Sequence, residues 1–96
     1  MARPTALGPD ELAAAVAGLP GWSVGDGTLE FGDFAGAFGF MAAVATVAAE
    51  LDHHPDWSNV YSTVTVRLST HDVGGITELD VRLATRMNEL SHRSAD

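Results

Sequence analysis

Residues 33–55 read DFAGAFGFMAAVATVAAELDHHP, with no charged side chain between Asp33 and Glu50. Asp33 suits the N-cap of a helix, because its carboxylate can accept hydrogen bonds from backbone N–H groups of the first turn. Apolar residues then follow at helical spacing, and Pro55 disfavours the α conformation at the residue before it. The stretch therefore predicts one long helix from Asp33 to about Leu51.

The predicted helix is apolar on nearly every side. One stripe comprises Phe34, Phe38, Met41, Ala45 and Ala48, and a second comprises Phe40, Val44, Val47 and Leu51. Such a helix must be covered all round, and one sheet in a 96-residue chain cannot supply that cover. We therefore expect a homodimer or a homotetramer. A membrane span is not expected, because the run is short for one and contains Gly36 and Gly39.

Shorter patterns flank this helix. Pro9-Asp10-Glu11 is a favourable helix start, and residues 22–31 alternate around Gly25-Asp26-Gly27 as in a β-hairpin. Residues 60–69 alternate without interruption, so their periodicity predicts one long strand. Thr77 is expected to cap a last helix.

We expect residues 1–96 to form a single domain, because a chain of this length can bury one hydrophobic core. Residues 1–8 lack hydrophobic periodicity and residues 91–96 form a polar tail. The ordered core is therefore expected at about residues 9–91.

The composition excludes several classes of function. The net charge is −8 and the five basic residues, all arginines, are scattered, so binding to nucleic acid or to an anionic membrane is not expected. The lack of cysteine excludes disulfides, thiol nucleophiles and zinc thiolates. The lack of lysine excludes Schiff-base chemistry and a P-loop. No signal pattern opens the sequence, so a cytoplasmic location is expected.

Three of the four histidines lie at the ends of predicted elements. His53 and His54 end the long helix, and His71 follows the predicted strand. Imidazole ordinarily titrates at about pH 6.5, so these side chains can deliver and accept protons near neutrality without a cofactor. Three imidazoles could also bind zinc, but adjacent histidines at a helix end point in different directions. We therefore predict acid–base chemistry and no metal.

The histidines belong to a longer ordered series. Its members are Asp52-His53-His54-Pro55-Asp56-Trp57, Val60-Tyr61, Ser69-Thr70-His71-Asp72 and Asp80. Upstream of them lie Trp22, Phe31, Asp33-Phe34 and Phe38-Gly39-Phe40-Met41. Over about residues 9–91 the chain resembles the pterin-4a-carbinolamine dehydratases, whose signature is a His-His-Pro triplet, a downstream aromatic residue, a further histidine and a final aspartate. It departs from them at Ala49, where the family usually has a charged residue.

This resemblance implies both a fold and a reaction. The fold is α+β, a two-layer ββαββα arrangement with an extra N-terminal helix, in which an antiparallel four-stranded sheet packs on helices. It requires a break near Ser62 that the alternation does not reveal. The reaction is the dehydration of a 4a-hydroxytetrahydropterin to a quinonoid dihydropterin, in tetrahydrobiopterin recycling, with a pterin as small-molecule partner and no cofactor.

The resemblance also assigns residues to the site. His53, His54 and His71 are the expected catalytic residues. The expected substrate-binding residues are Asp52, Trp57, Ser69, Thr70, Asp72 and Asp80. A core or rim position for Trp57 is an equal alternative. Asp80 either caps the last helix together with Thr77 or accepts a hydrogen bond from a site histidine, for which we expect His71, and we favour the second role, alone or shared with the first.

A scaffold is the alternative to an enzyme. Proteins of this fold family also serve as dimerisation partners of transcription factors and in protein assembly. A scaffold needs no imidazole at His53, His54 and His71, so the intact set of three favours the enzyme.

Overall fold

The computed structural model describes residues 5–95, with side chains as far as Ser91. Within these residues four strands form one antiparallel sheet. The elements are α1 (Pro9–Ala17), β1 (Trp22–Ser23), β2 (Asp26–Glu30), α2 (Phe34–Leu51), β3 (Asp56–Val60), β4 (Thr63–Arg67) and α3 (Glu78–Ala95). A 3-10 turn at His71–Val73 precedes α3. The strand order is β1-β2-β4-β3, and α2 and α3 pack on the apolar face of the sheet. The predicted α+β fold is therefore confirmed.

The helix α2 has the predicted bounds. Its N-cap Asp33 accepts a hydrogen bond from the backbone N–H of Gly36 at 2.8 Å. One stripe of the helix is buried against the sheet and α3, and it comprises Ala37, Phe40, Val44 and Ala48. The opposite side remains apolar and uncovered within one chain, since Phe34 is 50% exposed and Phe38 is 57% exposed.

The length argument against a membrane span does not hold for α2. Among residues 5–95 this is the one helix that is long and apolar enough, by length and composition, to cross a membrane. Core helices of soluble proteins can have the same composition. The buried stripe of α2 accounts for part of its apolar character, because those side chains fill the core against the sheet.

The alternating segment after α2 forms two strands rather than one. Val60 pairs with Thr63, and Tyr61 and Ser62 form the turn between β3 and β4. Tyr61 adopts a left-handed conformation with φ of 50°. The Asn59 side chain donates to the carbonyl oxygens of Tyr61 and Thr63 at 3.1 and 2.9 Å. The prediction of one long strand is wrong, and the break near Ser62 that the resemblance implied is confirmed.

This turn changes which side chains face the core. In an uninterrupted strand Val60 and Val64 would lie on the same face. Across the two-residue turn they lie on opposite faces, so Val60 is 75% exposed and Val64 is fully buried. Tyr61, which the single-strand prediction placed mid-strand, is exposed at the turn.

The first hairpin is present, with its turn at Val24-Gly25 rather than at Gly25-Asp26-Gly27. Gly25 has φ of 77°, a conformation that glycine adopts without a steric penalty. Asp26 and Gly27 therefore already belong to β2, where Gly27 pairs with Trp22.

The Trp22 indole joins this hairpin to α3. Its ring lies so close to Gly27 that a Cβ added there would be 2.6 to 2.7 Å from ring atoms. Its Nε1 donates to Oδ1 of Asn88 at 2.9 Å, and the side chain is buried. The space over Gly27 is thus filled by the indole, which a side chain at this position would displace.

Described structure is also present on both sides of the expected core, residues 9–91. The backbone N–H of Leu7 donates to the carbonyl oxygen of Ile76 at 2.8 Å, which attaches the segment before α1 to the segment before α3. The helix α3 continues to Ala95, through most of the expected polar tail. The remaining residues of the predicted frayed ends, 1–4 and 96, lie outside the described residues.

Replacing Gly27 by alanine is expected to destabilise the fold. The new methyl group would collide with the Trp22 ring, and overpacking of this kind costs about 1–3 kcal/mol. Urea denaturation followed by tryptophan fluorescence measures the change. Gly32→Ala is the matched control, because no atom outside its neighbours lies within 4 Å of the added Cβ. Equal stability of the two variants would contradict the packing of Trp22 on Gly27.

Candidate active site

The end of α2 directs His53 into the protein. The backbone N–H of His53 donates to the carbonyl oxygen of Ala48 at 3.0 Å, and that of Asp52 donates to Ala49 at 3.2 Å. This pair of hydrogen bonds is a Schellman motif, which usually has glycine in its left-handed position. Here Asp52 occupies that position with φ of 50°. The chain reverses there, so His53 is buried while the next residue, His54, is exposed.

A second segment approaches from the end of β4. Thr70 forms an isolated β-bridge with Gly75, and its backbone N–H donates to the Gly75 carbonyl oxygen at 2.8 Å. The bridge closes a short loop that contains the 3-10 turn, with Gly74 in a left-handed conformation at φ of 64°. The loop leaves His71 exposed and Thr70 buried.

An open cleft of about 190 Å³ lies between these two segments. It is lined by Asp52, His53, His54, Ser69, Thr70, His71 and Asp72. The structure therefore brings together the three predicted catalytic histidines and four of the predicted substrate-binding residues. Their roles in catalysis and binding stay predictions.

Asp80 lies beneath this cleft rather than in its lining. The side chain is 2% exposed and projects from the first turn of α3. Its Oδ1 lies 2.5 Å from Nε2 of His53. Its Oδ2 accepts hydrogen bonds from the Thr70 hydroxyl and from the backbone N–H of Thr77, both at 2.9 Å.

The predicted partner of Asp80 needs correction. We expected His71, but that residue lies exposed on the 3-10 turn, whereas the Schellman motif directs His53 towards Asp80. The two alternatives for Asp80 also prove compatible. One carboxylate oxygen binds the histidine, and the other caps the start of α3 through the N–H of Thr77. Asp80 contacts residues that line the cleft and does not line it itself, and its expected role in substrate binding stays a prediction.

Trp57 is placed away from the cleft. It lies on the core face of β3 opposite Val66, where it is half-buried against the hydrophobic core. It is not among the residues that line the cleft, which agrees with the alternative of a core tryptophan.

The described residues contain no group of three or more histidine, aspartate or glutamate side chains arranged to hold a metal ion. The three histidines of the cleft differ in their surroundings. His53 is engaged by Asp80 at Nε2, and the other two are exposed.

Sequence reasoning did not identify the hydroxyl of Thr77 as part of this network. Its Oγ1 lies 2.7 Å from Oγ1 of Thr70 and also accepts a hydrogen bond from the backbone N–H of Leu79 at 3.2 Å. The available signal was the capping spacing between Thr77 and Asp80, which indicates the helix start but not the contact with Thr70.

The chain is similar to known proteins over most of its length. The family model described as pterin 4 alpha carbinolamine dehydratase matches residues 5–90. A protein of Afipia carboxidovorans that has pterin-4-alpha-carbinolamine dehydratase as a provisional name is 53% identical over 93 residues, which cover 91% of this chain and 93% of that protein. A Prochlorococcus marinus (strain MIT 9515) protein with the same provisional name is 46% identical over 92 residues, which cover 92% of this chain and 96% of that protein.

A solved structure shows the same similarity. The crystal structure of a transcriptional coactivator/pterin dehydratase from Brucella melitensis matches this fold with a TM-score of 0.88 and 41% sequence identity. The match covers 91% of this chain and 99% of that one. The family model spans most of the sequence, and the two relatives are 53% and 46% identical to it over most of their own length. The chain therefore belongs to the pterin 4 alpha carbinolamine dehydratase family.

Proposed function

We propose that this protein is a hydro-lyase that dehydrates a 4a-hydroxytetrahydropterin. The observation that carries the proposal is the cleft in which His53, held by Asp80, lies together with His54 and His71. Such a site offers several imidazoles, the side chains most often used as general acids and bases, and its surroundings hold one of them in a fixed orientation. Family membership supports the same substrate class.

The reaction requires two proton transfers. The bond between C4a and its hydroxyl oxygen breaks, and the oxygen takes up a proton and leaves as water. A ring N–H loses its proton as a C=N bond forms, which gives the quinonoid dihydropterin. General acid and general base catalysis each contribute about 10²- to 10⁴-fold to steps of this kind.

We assign the roles as follows. His53 and His71 exchange protons at the 4a-hydroxyl, and His54 contacts and orients the pterin ring. Ser69 and Asp52, exposed at the cleft, provide polar contacts for the substrate. The product would be reduced again by a separate enzyme, in recycling of the tetrahydropterin.

The first prediction is dehydration without an added metal. Purified protein treated with EDTA should accelerate the loss of water from 4a-hydroxytetrahydropterin in a stopped-flow absorbance assay, because imidazoles supply both proton transfers. A rate that returns only with added zinc would contradict the acid–base mechanism. A rate equal to the uncatalysed one would contradict the proposed function.

The second prediction concerns the histidines. His53→Gln should lower kcat at least about tenfold, because the amide can still donate to Asp80 but cannot transfer a proton. His71→Ala should lower kcat by a similar factor, and its exposed position makes a loss of stability small. Circular dichroism checks that both variants remain folded. A double variant as active as the unmodified protein would contradict these roles.

We also propose that the chain assembles with further copies of itself through the outer face of α2. The rings of Phe34 and Phe38 lie 5.8 Å apart at their centroids, and both are at least half exposed. Exposed apolar patches of this kind are commonly interaction sites. Burial of this face against a second chain would complete the cover that the sheet and α3 provide on the other side of the helix.

The third prediction tests this assembly. Light scattering at micromolar concentration should give a mass at least twice the 10.0 kDa of one chain. Phe38→Glu should lower the mass, because it puts a charge on the apolar face. Thr65→Glu, on the polar outer face of the sheet, should not. A folded monomer in the unmodified protein would contradict the assembly.

A scaffold is the second candidate function. The exposed face of α2 favours it, as does the description of the Brucella melitensis protein as a transcriptional coactivator as well as a pterin dehydratase. The two candidates differ in what they require of His53. An assembled protein that does not accelerate dehydration would favour the scaffold over the enzyme.

A further inference from the structure

The hydrogen bonds around Asp80 form a series in which the donor and the acceptor of each contact can be assigned. The Thr70 hydroxyl donates its single hydrogen to Oδ2 of Asp80 at 2.9 Å. In the contact of 2.7 Å between the hydroxyls of Thr70 and Thr77, the hydrogen must then come from Thr77. The Thr77 oxygen in turn accepts from the backbone N–H of Leu79. Each hydroxyl therefore donates once and accepts once.

This series of hydrogen bonds determines which oxygen of Asp80 is available to His53 and which ring nitrogen of His53 carries a hydrogen. Oδ2 of Asp80 already accepts two hydrogen bonds, one from Thr70 and one from the backbone of Thr77. Oδ1 is the oxygen that meets Nε2 of His53. An ionised carboxylate can only accept, so Nε2 carries a hydrogen whether the imidazole is neutral or protonated. In the neutral ring the lone pair is then on Nδ1.

The second ring nitrogen of His53, Nδ1, has access to solvent. Among the described residues no buried side-chain nitrogen or oxygen lacks a hydrogen-bond partner. The side-chain hydrogen bond of His53 is made by Nε2, so its Nδ1 must be accessible to solvent. Because His53 lines the cleft and its Nε2 is engaged by Asp80, we infer that Nδ1 is the ring nitrogen available to a bound molecule.

We propose that Thr70 and Thr77 are positioning residues which, through Asp80, hold His53 in the Nε2–H tautomer, so that His53 exchanges its proton with the substrate through Nδ1. The part of this inference that concerns substrate rests on the proposed function, whereas the tautomer follows from the hydrogen bonds alone. The capping role of Thr77 and Asp80 then serves two purposes, because the start of α3 and the orientation of His53 depend on the same carboxylate.

Nuclear magnetic resonance can identify the tautomer directly. A long-range ¹H–¹⁵N correlation spectrum of the imidazole rings, recorded at a pH where histidine is neutral, distinguishes a protonated ring nitrogen from one with a lone pair. The signals missing from His53→Gln assign the ring of His53. We expect a protonated Nε2 and an unprotonated Nδ1 in the unmodified protein. The opposite tautomer would overturn the proposal.

Two valine variants test the threonines, because valine keeps the shape and removes the hydroxyl. Thr70→Val should give a mixture of His53 tautomers and lower kcat by about ten- to hundredfold, the factor that loss of an outer hydrogen-bond partner of a histidine costs in metal sites. Thr77→Val should act in the same direction and more weakly, because Thr70 can still donate to Asp80. Thr77→Ser should restore the spectrum and the rate, because it keeps the hydroxyl.

Thr85→Val is the matched control on α3. Its hydroxyl donates to the carbonyl oxygen of Val81 on the exposed side of the helix and has no contact with the cleft. If Thr70→Val resembles Thr85→Val in tautomer and in kcat, the positioning role is wrong. If Thr70→Val does not fold, the comparison of Thr77→Val with Thr77→Ser decides in its place. An unmodified protein that has the expected tautomer but does not dehydrate the pterin would contradict the proposed function and leave the tautomer assignment in place.

Discussion

The contact between His53 and Asp80 connects the end of α2 to the start of α3 and supports one wall of the cleft. Both side chains are buried, and a buried carboxylate is tolerated only when hydrogen-bond donors surround it. Asp80 has three such donors, supplied by His53, Thr70 and the backbone of Thr77. Three separate segments therefore meet at one carboxylate, and the histidine that we assign to catalysis also connects parts of the fold.

The parts of the fold that depend on local patterns could be predicted from the sequence. The bounds of α2 follow from the capping carboxylate of Asp33 and from Pro55, and they agree with the structure. The turn at Tyr61 could not be predicted in this way. It contains neither glycine nor proline, and its support comes from the side chain of Asn59, which an alternating pattern treats as one more strand residue.

The site was predictable as a set of residues but not as a set of contacts. Sequence order grouped the histidines, and the family resemblance assigned Asp80 to the same site. The choice of partner depended on geometry, because the Schellman motif at Asp52 turns His53 inward while the loop after β4 leaves His71 exposed. Trp57 is a residue that sequence order grouped with the site and that the structure places elsewhere. Its place in the series suggested the cleft, and the pairing of β3 with β4 puts it on the core face instead.

The left-handed conformation of Asp52 has a consequence for how this small domain distributes its stability. Glycine would adopt that conformation at lower conformational energy, although aspartate is one of the few residues with a Cβ that adopt it. The chain nevertheless has a carboxylate at this position, at the edge of the cleft. The end of α2 is thus less stable than its geometry would permit, and selection for thermal resistance alone would favour the loss of this side chain. A carboxylate there is what the predicted role of Asp52 in substrate binding would require.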